Sequence, residues 1–147
     1  MPVTEDPRDL RRSDFSVLRE VPTRWADVDA YGHVNNVVHY AVFDTAVNAW
    51  LIESTGEDVR RWPSIGLVVE TSCRYLAELD FPAAITAGLA VDRLGNTSIT
   101  YRLGLFGPAE APAAVGRFVH VYVVRETRRP VPVPGPVRSA VQALPDC

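Results

Sequence analysis

One helical pattern followed by a series of strand patterns constrains this chain most. From Val37 to Ser54, apolar residues recur mostly at three- and four-residue spacing, and Gly56 then supplies a stop signal. Four β-rich segments follow, separated by short turn sequences: Pro63 to Leu79, Ala83 to Gly95, Thr97 to Gly107 and Ala111 to Glu126. We therefore expect an α+β fold, in which one long central helix packs on a curved antiparallel sheet of five or six strands.

The remaining segments complete this prediction. Phe15 to Trp25 mixes apolar and polar residues like a half-buried strand, and its Pro22 indicates an edge or a bulge. The segment FVHVYVV, residues 118–124, is rich in Val and Tyr, and we expect it to be an edge strand that needs a partner. Residues 1–13 are expected to be a mobile head, and residues 136–147 a C-terminal tail with one or two helical turns.

Length and composition exclude several classes of protein. The 147 residues predict one domain spanning 1–147, and a net charge of −3 offers nucleic acid no basic surface. Two cysteines, Cys73 and Cys147, provide neither a disulfide framework nor metal-ligand spacing, which favours a reducing cytoplasm. The longest apolar run, Phe81 to Val91, is too short to cross a bilayer. We expect a cytoplasmic protein that is neither exported nor embedded in a membrane.

Polar residues are crowded just before the predicted helix. Two aspartates, two histidines and two adjacent asparagines lie within the seventeen positions from Asp27 to Phe43. Such residues either cap and tie down the start of a helix or form a site that uses it. For Asp27 we expect a cap or an ion pair with Arg24.

The segment RWADVDAYGHVNNVVHYAVFDTAVNAWL resembles the N-terminal signature of hotdog-fold acyl-CoA thioesterases of the 4-hydroxybenzoyl-CoA thioesterase type. The later stretches VDRLGNTSITYRLGLF and GRFVHVYVVRETRRPVPVP are similar to that family's later strands, although they are less specific. The resemblance implies a hotdog fold and hydrolysis of an acyl-CoA. It implies no cofactor and no metal ion.

The resemblance also implies residue roles at the start of the helix. Asp29 matches the carboxylate that attacks the thioester carbonyl or activates the attacking water. An aspartate is ionised at neutral pH without special tuning, as either role requires. Backbone N–H groups around Asn35 and Asn36 are expected to form the oxyanion hole, while their side chains are expected to be structural.

The same segment resembles the plant acyl-carrier-protein thioesterases. Asp29 and His33 match that motif, but Tyr31 stands where it has an asparagine. We therefore expect His33 to position or polarise groups instead of acting as the essential base. Three alternatives remain open: an acyl-carrier-protein thioesterase, a non-catalytic acyl-CoA-binding module, and a hydratase. The hydratase motif sets its aspartate and histidine five apart with an intervening Asn-Pro, which this chain lacks.

Other polar residues have plain structural interpretations as well. Asp44 lies on the helix, where many hotdog relatives have an acid, and either an ion pair or a chemical role is open. For His39 and His120 we expect packing or hydrogen bonding, so zinc binding is not expected.

The substrate predictions depend on the later strands. Gly66, together with Val38, Val42 and Trp50, is expected to line an acyl tunnel free of charged residues, which favours a neutral acyl group. The resemblance places Thr97 and Ser98 near the pantetheine arm or the nucleotide. Arg128, in a cluster with Arg125 and Arg129, is a candidate for binding coenzyme A phosphates, with a solvated turn as the alternative. A homodimer or homotetramer with sites at the interface is expected.

Overall fold

A long helix packed on a five-stranded antiparallel sheet organises this computed structural model, which describes residues 6–145. The strands follow the spatial order β1-β3-β4-β5-β2. Their bounds and those of the two helices are β1 Val17–Val21, α1 Asn36–Thr55, β2 Ser64–Tyr75, β3 Ile85–Leu94, β4 Ser98–Phe106, β5 Ala114–Val124 and α2 Gly135–Gln142. Bulges in β2 and β3 shift the register and bend the sheet. The predicted α+β class is confirmed, and β3, β4 and β5 form an antiparallel meander.

Helix α1 begins and ends where the sequence signals indicate. The Asn35 side chain caps its first turn, and Gly56, with φ of 70°, ends it in the left-handed conformation that glycine adopts without strain. The 20-residue helix extends the predicted span by one residue at each end. One stripe of the helix is buried, and its members are His39, Val42, Phe43, Ala46, Val47, Trp50 and Leu51.

Aromatic contacts join α1 to the middle of the sheet. The Phe43 ring meets Phe118 of β5 edge to face at 5.8 Å, and Trp50 meets Tyr101 of β4 at 6.2 Å. Gly116 of β5 lies directly beneath Phe43, and any Cβ at that position would overlap the ring. Burying each such side chain contributes about 1.5–3 kcal/mol, so these contacts fix where the helix lies on the sheet.

The expectation that FVHVYVV is an edge strand is wrong. This segment belongs to β5, which pairs with β4 on one side and with β2 on the other. The edges of the sheet are β1 and β2 instead, and β1 agrees with the edge that Pro22 indicated. Alternating Val and Tyr residues indicate a strand, but they do not show which strands lie beside it. Here β2 pairs with β5, although a long stretch of chain separates the two strands in sequence.

The N-terminal segment covers the second face of the sheet. Gly88 and Gly104, paired across β3 and β4, leave room for the Phe15 ring, which contacts Phe106 edge to face at 5.7 Å. Leu10 packs against the same cluster. Of the predicted mobile head, residues 1–5 lie outside the described residues, whereas residues 6–13 form two short 3₁₀ turns anchored by Leu10.

The C-terminal tail contains the predicted helical turns as α2. Val137 is fully buried, and Arg138 Nη2 donates to the carbonyl oxygens of Gly95 at 2.7 Å and Asn96 at 3.2 Å. The tail is therefore fastened to the β3-β4 turn. Cys147 lies outside the described residues.

We expect Gly116→Ala to lower the free energy of unfolding by about 1–3 kcal/mol, because the new methyl group overpacks the Phe43 contact. Gly135→Ala is the matched control, since a Cβ there meets nothing within 4 Å. Urea denaturation of both variants at one protein concentration measures the difference. Equal stabilities for the two variants would contradict this account of the core.

Candidate functional site

The predicted site residues lie at two opposite ends of the sheet. Asp29, His33 and Asn35 belong to the loop that precedes α1, and Asn36 is the first residue of the helix. This region lies beside Tyr75, the last residue of β2, whose hydroxyl donates to Asn36 O at 2.8 Å. We call this the loop end. The other predicted site residues, at what we call the cleft end, are Gly66, Thr97, Ser98 and Arg128.

The distance between these ends is fixed by α1. Asn36 begins the helix at the loop end, whereas Asn48 lines a cleft at the other end together with Gly66. Twelve residues of helix separate the two asparagines by about 18 Å. Within one protomer, Gly66 therefore lies far from Asn35 and Asn36.

At the loop end, Asp27 holds the loop together. Its buried carboxylate accepts hydrogen bonds from Arg24 N at 2.8 Å, Nη2 at 2.8 Å and Nε at 3.2 Å. Its carbonyl oxygen accepts from Asn35 N at 2.8 Å. The Arg24 side chain is the main reason that the pKa of Asp27 lies below its usual range. The expected ion pair between the two residues is confirmed.

Asp29 is half-buried in the tight turn that Asp27 supports. Its Oδ1 accepts from Tyr31 N at 2.9 Å, and its backbone N–H donates to His33 O at 3.0 Å. Gly32, with φ of 88°, allows the chain to close this turn. Within residues 6–145, Oδ2 of Asp29 has no hydrogen-bond partner. One carboxylate oxygen thus holds the turn, and the other makes no hydrogen bond within the described residues.

His33 does not touch the Asp29 side chain. Its Nε2 lies 3.0 Å from Glu78 Oε2, and its buried Nδ1 has no partner in the described part of the chain. The two residues are connected only through the backbone hydrogen bond of the turn. This geometry matches a positioning role better than a direct aspartate-histidine dyad.

One backbone amide at the start of α1 is free. Asn35 Oδ1 accepts from Val37 N at 3.0 Å, and Asn35 O accepts from Val38 N at 2.9 Å. Because Asn35 N is bonded to Asp27, the N–H of Asn36 is the amide here that lacks a partner among residues 6–145. The partial positive charge of the helix start supports anion binding at that N–H. The Asn35 side chain is a cap, as expected.

His39 and Tyr75 brace this helix start. His39 Nδ1 lies 3.2 Å from Asn35 O, and its ring meets Tyr75 edge to face at 4.9 Å. Burial lowers the pKa of His39 and raises the pKa of Tyr75 to about 12, so both side chains are neutral at pH 7. The expectation that His39 packs and forms a hydrogen bond is confirmed.

The cleft end contains a small cavity between the end of α1 and the sheet. Its volume is about 210 Å³, and its lining residues are Asn48, Leu51, Val59, Arg60, Trp62, Ser64, Ile65, Gly66, His120, Tyr122 and Arg125. The expected tunnel residues Val38, Val42 and Trp50 are not among them, because Val42 and Trp50 are buried in the core. Leu51 and Asn48 form the helix side of the cleft instead.

Two arginines line this cleft, contrary to the expectation of an uncharged pocket. Arg60 is paired with Asp58, its Nε lying 2.9 Å from Oδ1. Arg125 Nε donates to Trp62 O at 3.0 Å, and its Nη2 donates to Arg60 O. Both guanidinium groups are thus committed to neighbouring protein groups.

The residues predicted to contact coenzyme A lie at the same end of the sheet as the cleft, although none of them is among its lining residues. Thr97 O accepts from Tyr122 N at 2.8 Å, and Ser98 O accepts from Gly95 N at 2.8 Å in the β3-β4 turn. Arg128 is exposed in the turn after β5, with φ of 61°. Its guanidinium group has no partner among the described residues.

Asp44 and His120 differ from expectation in one respect each. Asp44 makes no ion pair in the described part of the chain and accepts from Asn48 Nδ2 at 3.1 Å. His120 packs as expected, but neither of its ring nitrogens has a hydrogen-bond partner among residues 6–145. Its strand parity with Phe118 and Tyr122 was the sequence signal that it faces the helix side.

The thioesterase-like superfamily matches residues 23–141, which include both ends of the sheet. The chain belongs to this superfamily. The chain is similar in structure to the PA5185 protein from Pseudomonas aeruginosa strain PAO1, with 49% identity, a TM-score of 0.88 and coverage of 92% of this chain and 96% of that one. Membership confirms the hotdog fold and the thioesterase class that the sequence suggested.

Two further solved structures are similar to this chain. One is PA2801, a putative thioesterase from Pseudomonas aeruginosa, with 29% identity, a TM-score of 0.79 and coverage of 86% and 98%. The other is a thioesterase from Thermus thermophilus in complex with coenzyme A and Zn, with 25% identity, a TM-score of 0.74 and coverage of 88% and 94%. A comparison with curated proteins finds no match.

Metal-binding clusters and membrane-spanning helices are both absent from the part of the chain that the structure describes. Residues 6–145 contain no group of three or more His, Cys, Asp or Glu side chains placed to hold a metal ion. In the same residues, no helix is long and apolar enough to cross a membrane.

Asp27 generates a prediction about pH and stability. Because its pKa is lowered on folding, the Arg24-Asp27 pair stabilises the fold above the unfolded pKa of about 4, and this contribution is lost as the pH falls through the lowered folded pKa. We expect Asp27→Asn to be less stable than the wild type at pH 7 and the gap to narrow below pH 4. Urea denaturation at several pH values measures this gap, and a gap independent of pH would exclude the ion pair as its cause.

Proposed function

We propose that this superfamily member hydrolyses acyl-CoA thioesters to the free acid and coenzyme A. The observation that carries this proposal is a half-buried carboxylate, Asp29, with one free oxygen in the loop that leads to the free N–H of Asn36. The complex of the Thermus thermophilus thioesterase with coenzyme A supports the choice of carrier.

The chemistry follows from these two groups. Asp29 either attacks the thioester carbonyl, forming an anhydride that water then hydrolyses, or removes a proton from the water that attacks. In both routes the carbonyl oxygen becomes an oxyanion, which the Asn36 N–H and the helix dipole stabilise. The thiolate leaves readily, because an ordinary thiol has a pKa of about 8.5.

Neighbouring residues at the loop end orient this chemistry. Asp27 and Arg24 hold the loop against the start of α1, and the Asn35 side chain accepts a hydrogen bond from Val37 N. His33, paired with Glu78, positions the Asp29 turn through its carbonyl oxygen. No step requires a metal ion or an organic cofactor.

We place the acyl group in the cleft and the coenzyme A at its rim. The cleft contains apolar and aromatic side chains, and its two arginines are already bonded to protein groups, which favours a neutral acyl group over a dicarboxylic one. Thr97, Ser98 and Arg128 are the proposed coenzyme A contacts at the same end, with the exposed guanidinium of Arg128 available to a phosphate.

In this proposal, a second copy of the chain places the loop end of one protomer beside the cleft end of the other. Strand β2 is an unpaired edge with exposed apolar residues, among them Val68, Val69 and Tyr75. When two copies pair through β2 about a two-fold axis, the strands run antiparallel, so the loop end of each protomer lies beside the cleft end of the other. Asp29 of one protomer then acts on an acyl group in the cleft of its partner, in a homodimer or a tetramer of two such dimers.

We expect Asp29→Asn to reduce turnover by about 100-fold or more while the protein stays folded, because the amide neither attacks nor accepts the proton. The assay is release of free thiol from hexanoyl-, benzoyl- and succinyl-CoA, with succinyl-CoA expected to be the poorest substrate. Asp44→Asn tests the alternative that the reacting carboxylate is the one on α1. If that change abolishes activity and a folded Asp29→Asn variant keeps it, the reacting carboxylate lies on α1 and the mechanism is wrong.

The shared site makes a separate prediction. Val69 lies in the middle of β2 and is 58% exposed, whereas Leu18 is 48% exposed on the opposite edge strand, β1. We expect Val69→Asp to shift the protein towards monomers of 16.2 kDa and to reduce activity in parallel, because it places a charge in the apolar edge. Leu18→Asp should change neither property. Light scattering and thiol release measure the two effects, and a fully active monomer would refute the shared site.

A further inference from the structure

His120 is a buried polar side chain for which the protein supplies no partner. It is only 2% exposed, and both ring nitrogens lack hydrogen bonds to any residue between 6 and 145. Its ring meets Tyr101 edge to face at 5.3 Å and lies tilted against Phe118 at 6.4 Å. The packing therefore fixes the position of the ring without satisfying its polar atoms.

Such an arrangement is unusual in a folded protein, because buried polar groups are almost always hydrogen-bonded to protein or water. Burial lowers the pKa of His120 to about 4, although the nearby charge of Asp44 acts in the opposite direction. The ring is therefore neutral at pH 7. A neutral imidazole has one N–H donor and one acceptor nitrogen, so it is suited to an uncharged hydroxyl group.

The unpaired nitrogen Nδ1 lies beside Gly66, at the wall of the cleft. A Cβ on residue 66 would lie 3.3 Å from His120 Nδ1 and 3.2 Å from Tyr122 Cζ. Both side chains and Gly66 line the same cleft. Nδ1 is almost fully covered in the protein alone, and a ligand atom that took the place of the missing Cβ at residue 66 would lie next to it.

The cleft sets the size of that ligand. Its volume of about 210 Å³ is below the roughly 300–1,000 Å³ of pockets that enclose a drug-sized ligand. Leu51, Ile65 and Trp62 give it apolar walls. Within one protomer it therefore has room for a short or single-ring acyl group.

Building on the proposed thioesterase function, we propose that His120 is a specificity-determining residue that hydrogen-bonds a hydroxyl group on a short acyl chain or a single-ring aromatic acyl group in this cleft. In the proposed function, Asp29 and Asn36 at the loop end act on the thioester carbonyl, so they are not the groups that bind the acyl hydroxyl. His120 thus selects the acyl group and takes no part in bond cleavage.

The test uses non-hydrolysable thioether analogues, so that binding is measured apart from catalysis. The matched pairs are analogues of 3-hydroxybutyryl- and butyryl-CoA, and of 3- or 4-hydroxybenzoyl- and benzoyl-CoA. Calorimetry gives their Kd values for the wild type, His120→Phe, His120→Leu and His120→Asn. His120→Asn is the matched control, because its amide places a polar atom close to the position of Nδ1.

We expect the wild type to bind the hydroxylated member of at least one pair about 10-fold more tightly. This preference should fall to within about 3-fold in His120→Phe and His120→Leu and be partly kept in His120→Asn. Affinity for the unsubstituted analogue should stay within about 3-fold. The thermal midpoint of His120→Phe or His120→Leu should equal or exceed that of the wild type, because the change removes unpaired buried polar atoms.

Two results would overturn this inference: a wild type that binds both members of every pair equally, or a preference that persists without the imidazole. Thiol-release assays of the corresponding thioesters separate this failure from that of the proposed function. Hydrolysis without a hydroxyl preference rejects only the role of His120. A His120-dependent preference in binding without hydrolysis of any acyl-CoA rejects the proposed function and keeps the hydroxyl contact.

Discussion

The contact of Phe43 with Gly116 and Phe118 is the constraint on which the remaining structure depends. It sets the helix on the middle of the sheet, with no freedom to slide, because glycine at 116 admits the ring and a larger residue does not. The start of α1 is consequently fixed beside the end of β2, and its end is fixed above Ser64 and Gly66. The separation of the proposed reacting groups from the cleft is a direct result of this packing.

Structural and reactive roles are divided between residues that are close in sequence. Asp27 is buried and fully engaged by Arg24, whereas Asp29, two positions later, keeps a free oxygen. The Asn35 side chain caps the helix, whereas the next residue leaves its N–H unpaired. The crowding of polar residues before α1 therefore reflects both interpretations: some of them tie down the helix, and in our proposal the others use it.

Sequence patterns predicted the elements well because their signals are local. The cap at Asn35, the stop at Gly56 and the turns between strands each depend on a few neighbouring residues. The position of β5 inside the sheet and the distance from Gly66 to Asn36 depend on pairing between distant segments, which periodicity does not encode. The cleft was missed for the same reason, since Asn48 lies in α1, Trp62 in the connection to β2 and His120 in β5, and the three meet only after folding.

The Phe15 anchor has a consequence for how larger assemblies are built. Gly88 and Gly104 form a depression on the face of the sheet opposite α1, and the Phe15 ring of the N-terminal segment fills it. Arg102 lies over the Phe15 ring, and Arg12 lies over the neighbouring Phe106 ring. Two sheets stacked against each other at this depression would have to displace the Phe15 ring. The guanidinium groups of Arg12 and Arg102 would then lose their contacts with the aromatic rings. In the proposed tetramer, a pairing of dimers that keeps the contacts of Phe15 would therefore use a different surface.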